Sequence, residues 1–325
     1  MRVLNEHEYG LFERLVSLSQ SELHKTLGTY LKKKYKNVII EKDYIVAVGD
    51  IPIALVAHMD TVFYAPATHV YYDQRKGIMW SPEGLGADDR AGVFIILQII
   101  QSGLRPSIIL TTDEERGGLG AQALAKKNCP IPNLKYLIQL DRHGTNDCVF
   151  YDCANPKFME YIEDFGFSEA IGSFSDISFL MPAWKVCGVN LSVGYHDEHS
   201  VSETLYVPIL FRTCEIVKKM LTATDIPDFE YKEISNKLTD YYKVMSEYDY
   251  NDYDLGTPCD CCGKYFFGFE LIPVKSKDGK KIKSYCPDCT VDGIEWCDNC
   301  GYAYEVADPE DDMGYCKKCL EVLSV

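Results

Sequence analysis

The apolar run Ser107-Ile108-Ile109-Leu110 breaks off into Thr111-Thr112-Asp113-Glu114-Glu115-Arg116-Gly117-Gly118, and no other stretch limits the fold as much. A β-branched and aliphatic run cut short by charges and two glycines reads as a buried strand that stops at a loop. Neighbouring side chains on a strand point to opposite faces, so Glu114 and Glu115 can serve one site only if the backbone leaves strand geometry there. Gly117 and Gly118 supply that freedom. Alone, a Glu-Glu pair is a solvated acidic turn. At the C-terminal mouth of a strand in an α/β chain, however, one carboxylate can hold a metal while the other moves protons.

The rest of the first two-thirds supplies company for that pair. Helical spacing of Leu11, Leu15, Leu18, Leu23, Leu27 and Leu31 predicts one or two helices between Leu11 and Tyr35. Strand-like runs follow at Asn37–Ile40, Tyr44–Val48 and Ile53–Ala57, the third passing into His58-Met59-Asp60. His58 and Asp60, two apart, can emerge on one face, the imidazole toward a metal and the carboxylate behind it. Gly84-Leu85-Gly86-Ala87-Asp88-Asp89 marks a loop before an apolar helix, where an aspartate's ordinary role is to cap. A short helix is expected over Gly120–Lys127, a strand over Tyr136–Leu140 ending in Asp141, and a strand over Val189–Gly194 running into Tyr195-His196-Asp197-Glu198-His199. A long amphipathic helix over Leu205–Leu221 follows. Strands alternating with helices indicate an α/β sheet layered between helices.

At 325 residues the chain is longer than one small domain, and its net charge of -16 disfavours nucleic acid and anionic membranes as partners. The start, Met1 to Glu8, is acidic where a signal peptide needs a basic lead, and no apolar run approaches membrane-spanning length. A soluble cytoplasmic protein is therefore expected. Of 14 cysteines, Cys129, Cys148, Cys153, Cys187 and Cys214 are scattered and expected as free thiols. Eight others form four Cys-x-x-Cys pairs: Cys259 with Cys262, Cys286 with Cys289, Cys297 with Cys300, and Cys316 with Cys319. Thiolates at this spacing suit tetrahedral zinc, so two structural zinc sites are expected. Sequential pairing closes shorter loops than a cross-brace, which stays open. Between the first two pairs, Tyr265–Leu271 and Lys280–Lys283 are expected to form a hairpin.

In series, His58-x-Asp60, Asp88-Asp89, Glu114-Glu115, Asp141 and His199-Ser-x-x-Glu203 resemble the superfamily of co-catalytic dizinc exopeptidases, which includes aminopeptidases, tripeptidases, carboxypeptidases and amide deacylases. The likeness spans roughly Leu11 to Leu221. It implies a three-layer αβα sandwich with a mixed central sheet. It also implies that Asp88 bridges two metals, with Asp89 as the alternative bridge. His58 and Asp141 would complete one site, and Glu115 and His199 the other. Glu114 would be the general base, Asp60 the partner of His58, and the Asp88–Asp89 bond cis. His196 and Tyr195 are left as contacts to a substrate carbonyl or oxyanion, or as packed loop residues.

The chemistry also stands without the family. Imidazoles and carboxylates suit zinc, or manganese or cobalt. Two such cations sharing a carboxylate can acidify a water while Glu114 moves its proton. The sequence offers no Gly-x-Ser-x-Gly elbow and no cysteine with a motif-placed histidine. The short segments from His58 to Asp88 and from Asp141 to His199 leave no room for the inserted domains of larger relatives. The expectation is a dizinc aminopeptidase of short peptides, with a carboxypeptidase or N-acyl amino acid deacylase as alternative. A catalytically silent scaffold acting through its tail is the rival of another class. The expected domains are a catalytic one at 1–225, an acidic tyrosine-rich linker at 226–256, and a double four-cysteine, zinc-ribbon-like module at 257–325. The tail's excess of acids favours a protein partner or self-association.

Overall fold

The computed structural model describes residues 2–233 and, beyond them, residue 260 and the short strands between 257 and 305. The chain divides into two compact units, Met1–Ser235 and Asn236–Val325.

The first unit opens with two helices, α1 (Glu6–Val16) and α2 (Gln20–Lys34). Each begins at a capping box, Asn5 with Glu8 and Ser19 with Glu22, so α1 starts earlier than its leucine spacing indicates. Three strands follow, β1 (Asn37–Ile40), β2 (Tyr44–Val48) and β3 (Ile51–His58), then a short hairpin of β4 (Tyr71–Asp73) and β5 (Ile78–Trp80). Next come α3 (Ala87–Gln101), β6 (Pro106–Thr111), α4 (Leu119–Ala125) and β7 (Tyr136–Arg142). After β8 (Asp147–Val149), α5 (Pro156–Glu163), β9 (Ser168–Glu169) and α6 (Asp176–Trp184), the chain enters β10 (Cys187–Ser192). It ends with β11 (Tyr195–His196), β12 (Thr204–Tyr206) and α7 (Val207–Leu221).

Eight strands form one sheet in the order β1-β2-β6-β3-β7-β10-β8-β9. Its centre, β6-β3-β7-β10, is parallel, and antiparallel pairs join β2 to β6 on one flank and β8 to β10 on the other. Helix α3 lies against β3 and β7 with α1 and α7 packed on it, while α6 lies against β3, β7 and β10 with α4 packed on it. Because the parallel strands are covered, they read as unbroken apolar runs: Ile53–Ala57, Ile108–Leu110 and Tyr136–Ile138 are buried throughout. Chain order reverses around β3, since β6 lies on one side of it and β7 on the other, and such a reversal opens a crevice at the strands' C-terminal ends.

Four features differ from the sequence reading. Residues 204–206 form a strand before α7, because β12 pairs with both β11 and β5 in a second sheet ordered β11-β12-β5-β4. Strand β7 continues past Asp141 to Arg142. Residues 226–233, read from sequence as the start of a linker, lie with the first unit. Ile226, Phe229 and Tyr231 pack on the first unit's core, and isolated bridges join Val186 to Glu230 and Cys153 to Glu233.

In the second unit, β13 (Thr257–Pro258) pairs with β14 (Tyr265–Phe266), and β15 (Ile272–Lys275), β16 (Ile282–Tyr285), β17 (Ile294–Trp296) and β18 (Ala303–Glu305) form a sheet ordered β16-β15-β18-β17. A further difference lies here: β15 pairs with β16, so the first arm of this hairpin is Ile272–Lys275 and not Tyr265–Leu271, while the second overlaps the expected Lys280–Lys283. Cys259, Cys262, Cys286, Cys289, Cys297, Cys300, Cys316 and Cys319 lie outside the described residues.

Candidate metal centre

The site assembles where the parallel strands end. His58 closes β3, and its ring nitrogen Nε2 lies 3.0 Å from Asp88 Oδ1 and 3.5 Å from Asp141 Oδ1. The other oxygen of Asp88, Oδ2, lies 3.3 Å from Nε2 of His199, which in turn sits 3.0 Å from Glu115 Oε2. Asp88 thus presents one oxygen to each imidazole. Three groups of ligand atoms, His58–Asp88–Asp141, His58–Glu114–Glu115 and Asp88–Glu115–His199, each close to within 4.8 Å.

The strand-to-loop break at the Glu-Glu pair has a local cause. Asp113 adopts φ 52°, and Gly117 and Gly118 follow with φ 92° and 69°, so the chain coils back at once. Asp60 fixes the turn: its Oδ1 accepts the N–H of Glu114 and its Oδ2 that of Glu115, each at 3.0 Å. The same Oδ1 lies 3.3 Å from His58 Nδ1, outside hydrogen-bond alignment. Asp60 therefore fixes the backbone of Glu114 and Glu115 and stands behind His58.

Asp88 and Asp89 are joined by a cis peptide bond and divide their labour. Asp88 faces the cluster. Asp89 takes the bland role foreseen for an aspartate here, since its Oδ1 accepts Gly92 N–H at 2.8 Å as a helix cap and its Oδ2 accepts His58 N–H at 3.2 Å. Gly92 is needed at that point, because a Cβ there would meet Leu140 O at 2.3 Å. Tyr195 donates its hydroxyl to Asp141 Oδ1 at 3.1 Å, so it supports a candidate ligand. His196 belongs to none of the three groups.

Several supporting residues, Glu203 of the His-Ser-x-x-Glu motif apart, are invisible to motif reading. Gln139 and Ser175 donate to Asp141 Oδ2 at 3.0 and 2.9 Å, leaving Oδ1 turned toward His58. Asn190 brackets Asp141's backbone, accepting its N–H at 3.0 Å and donating to its carbonyl at 2.9 Å. Arg90, fully enclosed, donates to Met59 O between His58 and Asp60 at 2.5 Å. Asp176, at the start of α6, is buried with one oxygen bonded to Thr111 Oγ1 at 2.5 Å and the other without a partner. Glu203 accepts the N–H groups of Gly86, Ala87 and Asp88 at 2.5, 3.1 and 3.0 Å, tying the Asp88 loop to the His199 loop. The available signal was a polar residue inside an apolar run, as Gln139 and Asn190 are.

Electrostatics show what the cluster lacks. Burial pushes the Glu114 carboxyl well above the usual range; His58 opposes, and Asp141, Asp176 and Glu115 add to it. Burial raises Asp141 and Glu115 as well. At His58, burial favours the neutral ring, but Asp141, Asp60 and Asp88 outweigh it and raise the imidazole well above its ordinary value. Hydrogen bonds to Asp88 and Glu115 carry His199 to about 11. Four carboxylates crowded out of water draw protons onto both imidazoles, a demand for positive charge that divalent cations would meet. The donors also fit: oxygen and imidazole nitrogen, with no thiolate among the described residues of the site.

The fold, a mixed α/β sandwich, is similar to that of several solved aminopeptidase structures. Residues 46–165 match the profile of peptidase family M28, a stretch that holds His58 through Asp141 and stops before His199. Among solved structures, aminopeptidase PepT from Bacillus cereus is 16% identical over 67% of this chain and 98% of its own, with a TM-score of 0.52. A tripeptidase from Staphylococcus aureus is 15% identical over 68% and 98%, with a TM-score of 0.53. A TET aminopeptidase from a marine-sediment Thaumarchaeota archaeon is 13% identical over 68% and 98%, with a TM-score of 0.55. At these identities the likeness is one of fold. No curated protein sequence matches the chain.

Proposed function

We propose that this protein is a metal-dependent exopeptidase, and specifically an aminopeptidase that removes residues from short peptides. The observation that carries the reading is Asp88, whose two oxygens address His58 and His199 separately, as a carboxylate shared by two cations must. His58 and Asp141 would hold one cation and Glu115 and His199 the other, with zinc, manganese or cobalt as candidates. When bound, such a pair supplies an acidified water and polarises the scissile carbonyl. Glu114 does the proton work. Its carboxylate, 4.0 Å from His58 Nε2 and almost enclosed, takes a proton from the attacking water and returns it to the departing amine. Asp60 and Glu203 keep the loops in register, and Gln139, Ser175 and Tyr195 hold Asp141. A free α-amine is cationic, and a carboxylate-lined site on a chain of net charge -16 attracts it. The structural relatives named as aminopeptidase and tripeptidase support the same choice. In this reading the four cysteine pairs of the tail hold two structural zinc ions and serve a protein contact or self-association.

The test is a peptide panel: an unblocked tripeptide, its N-acetylated form and its C-amidated form, given to wild type and Glu114→Ala with metal content determined. Cleavage is expected to need the free amine and to fall about a hundredfold or more in Glu114→Ala with metals retained. A need for the free carboxylate would make the protein a carboxypeptidase, and release of the acetyl group a deacylase. Metal-loaded protein that turns over none of the three would favour the scaffold.

A further inference from the structure

The two imidazoles of the candidate metal centre are held unequally. His58 closes a buried strand and its side chain is 1% exposed, whereas the side chain of His199 stands on a loop and is 46% exposed. That loop leaves β11 through a costly backbone turn. Asp197 has φ 56° and His199 φ 62°, the left-handed region that residues bearing a side chain rarely adopt. With little packing around the His199 ring, its placement falls to the bonds that hold the loop. Ser200 Oγ donates to Asp197 O at 2.7 Å and Glu203 N–H to Ser200 O at 3.1 Å, but both bonds lie inside the loop. At its far end Glu203 grips the Asp88 loop. Between β11 and Glu203, the side chains that bond outside the loop are, among the described residues, those of His199 and Glu198. Glu198 accepts Nδ1–H of His143, two residues past Asp141. His143 in turn sits on a turn anchored in the main sheet: Ser192 Oγ, at the buried end of β10, donates to its carbonyl at 2.6 Å, and the next N–H, of Gly144, donates to Tyr195 O at 2.9 Å.

We propose that His143 and Glu198 form a positioning clamp, in which their hydrogen bond holds the left-handed turn 197–199 and thereby sets the His199 imidazole against Asp88 and Glu115. The clamp's purpose rests on the metal-dependent reading of the site. Glu198 lies between the two left-handed residues, so a hold on its side chain restrains the backbone on both sides. Freed of that hold, the turn relaxes toward ordinary φ, and the direction of each side chain swings with it. The ring of His199 then leaves the positions 3.3 Å from Asp88 Oδ2 and 3.0 Å from Glu115 Oε2. His58 and Asp141 stay where their strands put them. Loss of the clamp therefore loosens the His199 side of the centre and spares the His58 side. Both clamp residues are partly exposed, at 38% and 28%, and a pair of that kind adds little to global stability. Neither touches the reacting atoms in this scheme, and each acts through His199.

The full-length protein is titrated with manganese, followed by the paramagnetic resonance signal of the free ion, because thiolates do not select manganese and the tail cysteines stay out of the reading. His199→Ala identifies the site that depends on this loop. At that site His143→Ala and Glu198→Ala are each expected to weaken manganese binding about tenfold. The double variant should be no worse than either single one, since all three lack the same bond. His143→Asn, whose amide can donate from near the Nδ1 position, should recover most of the loss. Hydrogen exchange in peptides covering 195–203 should quicken in both alanine variants while the urea unfolding midpoint holds. Exchange and manganese binding equal to wild type in both overturn the clamp. Additive losses in the double variant overturn the pairing, and faster exchange with unchanged manganese binding overturns the link to His199. Absence of manganese binding by wild type would sink the metal reading, while exchange at 195–203 would still decide whether the clamp holds the loop.

Discussion

A carboxylate that accepts two backbone N–H groups is held more firmly than one that meets a side chain alone, and Asp60 accepts those of Glu114 and Glu115 while facing His58. One residue thereby sets the spacing between a candidate ligand strand and the candidate base. Asp60→Ala leaves two enclosed N–H groups without an acceptor and His58 Nδ1 without a neighbour, and should cost about 10- to 100-fold in activity or metal affinity. Asp60→Asn keeps an acceptor and should recover part of the loss. Metal titration beside kcat decides it, and equal activity in all three proteins would show that the turn holds itself.

At the scale of elements, the small sheet β11-β12-β5-β4 joins the hairpin after His58 to the segment bearing His199. Glu203 works at that junction by receiving three N–H groups from the Asp88 loop. Burial pushes its carboxyl up to about 7 against the pull of those three donors. Glu203→Ala should lower stability by about 1–3 kcal/mol for each donor left dry and loosen metal binding, whereas Glu203→Gln should keep most of both. Urea unfolding with and without added zinc would read the two effects apart. The hairpin has its own lock in Glu83, whose carboxyl is held down at about 2 by His69 first, then by Thr68. Since its folded value lies below the ordinary 4.5, the contribution is present above pH 4.5 and fades as pH falls toward 2. A side-chain NMR titration of Glu83 with its midpoint near 4.5 would contradict the lock.

For the whole molecule, what could be read from sequence follows a physical line. The parallel strands were legible because burial on both faces leaves nothing but apolar residues; His58 and Asp141 stood out because each ends such a run, whereas Asp88 and His199 lie in loops and needed the series of motifs. The supports were less so: Ser175 occupies a loop, where a polar residue is ordinary, and Glu203, although it ends the His-Ser-x-x-Glu motif, shows its hold on the Asp88 loop only in the fold. Residues 226–233 look like an acidic connector, yet Phe229 packs at a tilt against Phe158 at 5.1 Å and Tyr161 at 5.4 Å. A chain cut after residue 235 should accordingly fold with the stability of the first unit. One cut after 225 loses the partly buried Ile226, Phe229 and Tyr231 and should be less stable by about 1–3 kcal/mol on chemical denaturation. Similar unfolding midpoints for the two would show that this aromatic contact adds little.

The tie between Glu203 and the Asp88 loop also sets a timetable. A growing chain carries His58, Asp88, Glu115 and Asp141 well before it carries His199 and Glu203, so the early carboxylates emerge without the tether that gives Asp88 its two-sided presentation. In the proposed metal-dependent reading, capture of cations would then belong to the finished fold and not to the nascent strand.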